Sequence, residues 1–184
     1  MVKANNLTQL DIQCLPAEWH NTPNLIAPAV DKKIRAAKTT HERILVAYGD
    51  CGTGGLLDKV LEGHGVERLP GDHCYSFFAG EHVFNEMAET ELGTFYLTDY
   101  LIDNFERLIL DGLGISKYPE LKDQYFSNYT RLMYLSQTSR RDEKERRLLA
   151  AQKAADALGL RLEIHETGLQ PFEQSLRGIR ITSV

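Results

Sequence analysis

No apolar run in the sequence approaches the roughly 18 residues needed to cross a bilayer. Met1-Val2-Lys3-Ala4-Asn5-Asn6 does not lead into the apolar core of a secretory signal. A membrane partner is therefore not expected, and the protein is read as soluble and cytoplasmic. Cysteine is scarce: Cys14, Cys51 and Cys74 are the three in 184 residues. This odd, sparse set excludes the dense disulfide framework of small secreted proteins and leaves free thiols or metal ligands. There is no CxxC pair, no HExxH, no Walker lysine and no G-x-G-x-x-G, so neither a nicotinamide nor a flavin cofactor has a motif here. Positive charge is in deficit, with 21 Lys and Arg against 26 Asp and Glu for a net charge of -5. That balance argues against nucleic acid as a partner.

What is present is an alternation of strand-like and helix-like segments. Hydrophobic residues make up 42% of the chain and charged residues 26%, the composition of a globular protein, and the length suits one domain over residues 1–184. Leu10, Ile12 and Cys14 alternate with polar neighbours as a strand does, ending at Pro16. Thr22-Pro23 then offers a cap and a first-turn proline ahead of Ile26, Val30 and Ile34 at helical spacing. Ile44-Leu45-Val46-Ala47-Tyr48 is apolar without alternation, as in a central strand covered on both faces. Gly49-Asp50-Cys51-Gly52-Thr53-Gly54-Gly55 turns the chain into a helix carrying Leu56, Leu57, Val60 and Leu61, closed by Gly63 or Gly65.

The same grammar recurs. Residues 66–69 read as a short strand, 81–88 as a helix and 93–97 as a strand ending at Thr98-Asp99. Leu101, Phe105, Leu108 and Ile109 mark the next helix, stopped by Gly112 or Gly114, and a short one starts at Pro119. Residues 132–135 and 160–164 are the last strands. They flank a helix over 142–158 whose alternating charges from Arg140 to Arg147 predict a solvated, ion-paired face. Strands separated by helices predict an α/β fold, a three-layer α/β/α sandwich with a mainly parallel, Rossmann-like sheet.

Ligands of such sheets bind beyond the carboxyl ends of the strands. The residues expected there are Cys14 with Glu18 and His20, then Asp50 and Cys51, then Asp72, His73 and Cys74, then Thr98 and Asp99. Three readings follow. Thiolates and an imidazole from separate loops make a metal site with Cys51, Cys74 and either His73 or His20 as ligands. Zinc is favoured by ligand type, with iron the other candidate, and Asp50 is the orienting or proton-carrying group. Alternatively, Cys51 near a helix start is an activated nucleophile or a redox partner of Cys74. In the third reading, Gly52, Thr53 and Gly54, with Asp72 and Asp99 nearby, hold a small ligand, the loop amides forming an anion nest. Plainer alternatives are cysteines that are only small buried hydrophobes, glycines that only make a tight turn, and an Asp99 that only caps the following helix.

The strings Leu15-Pro16-Ala17-Glu18-Trp19-His20-Asn21-Thr22-Pro23, Tyr48-Gly49-Asp50-Cys51-Gly52-Thr53-Gly54-Gly55 and Leu69-Pro70-Gly71-Asp72-His73-Cys74-Tyr75 resemble those of a family known as domain of unknown function 1638. Gly93-Thr94-Phe95-Tyr96-Leu97-Thr98-Asp99 and Tyr125-Phe126-Ser127-Asn128-Tyr129 extend the resemblance, which runs from about Asp11 to about Gly168. Genes of that family often lie near corrinoid-dependent methyltransferase components. The resemblance thus implies a metal-dependent enzyme or accessory protein of one-carbon metabolism, with those components as partners beside a small-molecule ligand. It also sharpens the metal reading, since zinc-bound thiolates commonly accept or donate methyl groups. Members usually begin with an extra strand ending in Cys-Gly-Ala. This sequence has none ahead of Met1-Val2-Lys3, and Cys14 is the candidate substitute if that cysteine is a ligand.

Overall fold

The computed structural model describes residues 11–177. After two 3-10 turns, Ala17–Asn21 and Pro23–Leu25, come α1 (Ile26–Ala37), β1 (Leu45–Val46), α2 (Leu56–His64), β2 (Glu67–Arg68), α3 (Tyr75–Ala79), α4 (Glu81–Thr90) and β3 (Thr94–Thr98). Then follow α5 (Asp99–Asp103), a π-helical segment Glu106–Asp111, α6 (Leu121–Phe126), β4 (Arg131–Ser136), α7 (Arg141–Leu158), β5 (Arg161–Glu166) and α8 (Gln170–Arg177). The fold is α/β and every strand pair is parallel, as expected. The strands do not join into one sheet, however: β1 and β2 form a two-stranded ladder, and β3-β4-β5 form a second sheet in sequence order.

The second sheet carries the larger core. β4 is its middle strand, and all six of its residues are buried. Period-2 geometry sends Leu132 and Tyr134 to one face, where Ala151, Ala154, Ala155 and Leu158 of α7 lie at helical spacing. Met133 and Leu135 face the other way, onto Ala79 at the end of α3 and Phe84 of α4. Gly159, at φ 74, ends α7 in the left-handed conformation, and its neighbour Leu160 donates its N–H back to the Ala155 carbonyl at 2.9 Å.

The first ladder is slighter. Ile26, Val30 and Ile34 of α1 pack with Leu57 and Leu61 of α2 and with Val66. The apolar run 44–48 was expected to be a central strand, but it forms only the two-residue β1, half-buried, with β2 as its one neighbour. Pro70 and Gly71 follow that neighbour too soon for a longer ladder. Among the described residues no strand forms ahead of α1. Ile12 and Cys14 lie exposed in irregular chain, because an alternating face without a partner strand has nothing to pair with, and Leu10 lies outside the described residues. Thr22 makes no side-chain cap to the turn that follows it. α3 and α8 were not anticipated.

The charged face of α7 is only partly solvated. Arg141 pairs with Glu145 in solvent at 3.0 Å, whereas Arg147 turns inward to Asp99 at 2.9 Å and Asp103 at 2.6 Å. No described helix is long and apolar enough to cross a membrane. Leu132 is wholly buried, so Leu132→Ala is expected to cost about 2–5 kcal/mol in equilibrium urea unfolding. A cost under about 1 kcal/mol would mean that β4 is not sealed by α7.

Candidate metal centre

Because β1 and β2 run parallel, their carboxyl ends point the same way and deliver two loops side by side. The seam continues past the ladder: Leu69 donates its N–H to the Val46 carbonyl at 3.1 Å and Cys51 donates to the Asp72 carbonyl at 2.9 Å. Gly49 makes this approach possible. A Cβ there would lie 2.9 Å from the Cys74 nitrogen, 3.0 Å from the His73 carbonyl carbon and 3.2 Å from the Cys51 sulfur. The result is that the Cys51 and Cys74 sulfurs lie 3.0 Å apart, with the Gly49 N–H donated to Cys74 Sγ at 3.4 Å.

His20 completes the group from a different part of the chain. Its turn, Ala17–Asn21, is held by the Glu18–Arg107 ion pair to the π-helical segment and by Trp19, which packs on the first core. One ligand atom from each of His20, Cys51 and Cys74 lies within 4.8 Å of the others. The His20 Nδ1–H donates to the Ala17 carbonyl at 3.1 Å, which leaves Nε2 as the acceptor nitrogen, and the Tyr48 hydroxyl donates to it at 3.2 Å. A backbone carbonyl on the far ring nitrogen is the usual way a metal-binding imidazole is oriented.

The electrostatics follow from the crowding. The Cys74 S–H directed at it lowers the Cys51 thiol, against the opposing effect of burial, and His20 adds to the lowering. The Cys74 thiol is pushed up because Cys51 holds its proton in place and burial disfavours a second thiolate. His20 is raised by the neighbouring Cys51 sulfur, with burial opposing and the Ala17 carbonyl assisting. Tyr48 is raised by burial and by the adjacent sulfurs.

The other residues singled out in the sequence lie elsewhere or are engaged differently. His73 is exposed, its ring edge against Phe84 at 6.0 Å, and is not in the cluster. Cys14 is exposed and also apart. Asp72 contributes its backbone carbonyl to the seam while its side chain is exposed. Asp50 takes the Thr53 hydroxyl and the Gly55 N–H (3.0 Å) on one oxygen and the Gly54 N–H (3.1 Å) on the other. The glycine-rich loop thus folds around its own carboxylate, with Gly52 at φ 84 and Gly54 at φ 63, and Thr53 Oγ1 accepts from the Leu57 N–H in the first turn of α2.

Asp99 sits at the other sheet. It accepts from the Tyr134 hydroxyl at 2.8 Å and the Gln137 N–H at 3.0 Å and pairs with Arg147, while the cap of α5 is made by Thr98. Tyr48 and Gly49 were missed as site residues. Their signals in the sequence were their place immediately ahead of Asp50-Cys51 and their inclusion in a string that resembles the family.

A family described as "Protein of unknown function (DUF1638)" matches residues 14–176. The chain belongs to that family. The curated proteins hold no match to it, and neither do the solved structures. Within this DUF1638 chain the matched region contains His20, Cys51 and Cys74 together with both loops of the seam.

Two outcomes test this geometry. Gly49→Ala is expected to force the loops apart, lowering stability by about 1–3 kcal/mol and weakening any metal affinity at least about tenfold. Unchanged values would mean that the close approach does not hold the sulfurs. The hydrogen bonds from Thr53, Gly55 and Gly54 hold the Asp50 carboxyl below the usual carboxylate range, against burial. A lowered folded-state value stabilises the fold at pH above the unfolded value of about 3.9, and that contribution is lost as pH falls through the folded value. Asp50→Asn should therefore flatten the acid limb of a stability–pH curve and cost about 1–3 kcal/mol at neutral pH.

Proposed function

We propose that the protein is a zinc-dependent enzyme or accessory protein of methyl-group metabolism, working in the cytoplasm, with His20 Nε2 and the Cys51 and Cys74 sulfurs as its metal ligands. The observation that carries the reading is the convergence of one imidazole nitrogen and two sulfurs within 4.8 Å. One nitrogen and two thiolates suit zinc or another thiophilic ion rather than magnesium or calcium. Zinc–sulfur bonds of about 2.3 Å in tetrahedral geometry put two sulfurs about 3.8 Å apart. The present 3.0 Å separation therefore needs only a small opening.

Each residue has a role in that reading. Cys51, lowered by the Cys74 S–H directed at it, is the readier of the two to ligate as thiolate, and metal binding would displace the proton of Cys74, which Cys51 and burial push up. The Gly49 N–H supports the Cys74 sulfur, and the Ala17 carbonyl keeps His20 in the tautomer whose Nε2 is free to bind. Tyr48 donates to that same nitrogen and would be the first group to turn aside. Three protein ligands leave the fourth position of a tetrahedral ion for a substrate atom, the arrangement of catalytic rather than structural zinc. A zinc ion there would supply a Lewis acid able to hold a thiol substrate as thiolate, the form that accepts a methyl group.

The occurrence of family genes beside corrinoid-dependent methyltransferase components supports the methyl-transfer setting and suggests those components as partners. A ligand module built on the glycine-rich loop is less well supported, since the loop's amides are spent on Asp50.

The test is zinc stoichiometry on protein purified without a metal-affinity tag. About one ion per chain is expected, with His20→Ala, Cys51→Ser and Cys74→Ser each weakening affinity about 10- to 100-fold or more and Cys14→Ser leaving it unchanged. Iron in place of zinc would correct the metal, and no bound metal at any zinc concentration would remove the proposal.

A further inference from the structure

The two sulfurs are closer together than a metal would hold them, and this points to a second chemistry of the same pair. We infer that Cys51 and Cys74 form a reversible disulfide, and that this bond and the metal ion compete for the same two sulfurs. The competition rests on the metal reading above, whereas the disulfide stands on the geometry alone. At 3.0 Å the sulfurs need to close by about 1 Å to bond, compared with an opening of about 0.8 Å to flank zinc. The resting spacing thus lies between the two states.

Three features of the fold favour the bond. The hydrogen bond from the Cys51 N–H to the Asp72 carbonyl holds the two backbones together on either side of the pair, so neither loop has to travel. Gly49 keeps the space between them free of a side chain. Cys51 and Cys74 are only partly buried and His20 beside them is exposed, so a small oxidant has a route to the pair. Cys14 is also free but exposed and outside the cluster, which leaves Cys51 and Cys74 as the reacting pair among the described cysteines.

The oxidant is a low-molecular-weight disulfide, RSSR. Cys51, after giving its proton to solvent, attacks one of its sulfurs as the thiolate, the S–S bond breaks, and one RS⁻ leaves and takes up a proton from solvent. Cys74, after giving its proton to solvent, attacks the Cys51 sulfur of the mixed disulfide and expels the second RS⁻, which is protonated in turn. The two protein thiols are oxidised and RSSR is reduced to two RSH. When the sulfurs hold a metal, the same exchange releases the ion, because a disulfide sulfur is no longer a thiolate donor.

The test uses the full chain carrying Cys14→Ser, equilibrated in oxidised and reduced glutathione with and without one equivalent of zinc. Free thiols, intact mass and zinc content are read together. Without zinc, both thiols should disappear as the chain loses two hydrogens, with recovery on adding dithiothreitol. Zinc should slow that loss at least about tenfold, and the oxidised chain should take up none. Glutathione adducts alone, or two thiols that persist under fully oxidising conditions, would overturn the disulfide, whether or not zinc binds. A clean disulfide in a chain that never binds zinc would overturn the competition and the metal centre while leaving the disulfide in place. If wild-type and Cys14→Ser chains both bind zinc without protection of the thiols, the shared-sulfur account fails.

Discussion

The parallel pairing of β1 with β2 is the constraint on which the site depends. An antiparallel pair would have sent the loops after the two strands to opposite ends. The parallel one sends both to the same end, so residues 49–51 meet residues 71–74. Two residues of ladder contribute little by themselves. The wedge of Ile26, Ile34, Leu57 and Leu61 behind it supplies the burial, and the Cys51–Asp72 and Leu69–Val46 hydrogen bonds extend the register into the loops.

The molecule has a second polar pole at the carboxyl end of the other sheet, and the contrast between the two is informative. Asp99, Tyr134, Gln137 and Arg147 are satisfied within the fold, with Asp103, Glu143 and the Leu135 carbonyl taking the donors that Asp99 does not. Such a network secures the ends of β3 and β4 to α5 and α7 and leaves little capacity for a guest. At the thiol pole, by contrast, the backbone seam brings together two sulfurs that would repel as thiolates. A cation or a covalent bond would hold them better. Polar groups at strand ends are thus of two kinds here, and counting their partners separates them.

Most of the helices and the second sheet could be read from the sequence. β3 and β4 stand out as short apolar runs and α7 as a long Ala- and Arg-rich stretch, and Gly159 ends α7 as its position suggests. β1 was over-read because an unalternating apolar run looks the same whether a strand has one neighbour or two. α3 was missed because five residues, Tyr75-Ser76-Phe77-Phe78-Ala79, are too few to display a helical period. At the site, the rule that ligands gather beyond strand ends selected Cys51 and Cys74. It could not choose between His73 and His20. His73 adjoins Cys74 in sequence, yet its ring lies against Phe84, while His20 arrives on a turn whose position is set by tertiary contacts, the Glu18–Arg107 pair and Trp19. Asp50 looked chemical because of its neighbour, and the amides that occupy it become visible only once the loop is closed.

Cys51 is the one non-glycine residue with positive φ among those described, at 46°. Glycine would adopt that backbone shape with less strain, by roughly 1 kcal/mol. A survey of all twenty residues at position 51, scored only for folded protein, should therefore rank glycine above the cysteine that is there. Keeping a sulfur at position 51 thus carries a local backbone cost that the packing of so small a side chain does little to offset.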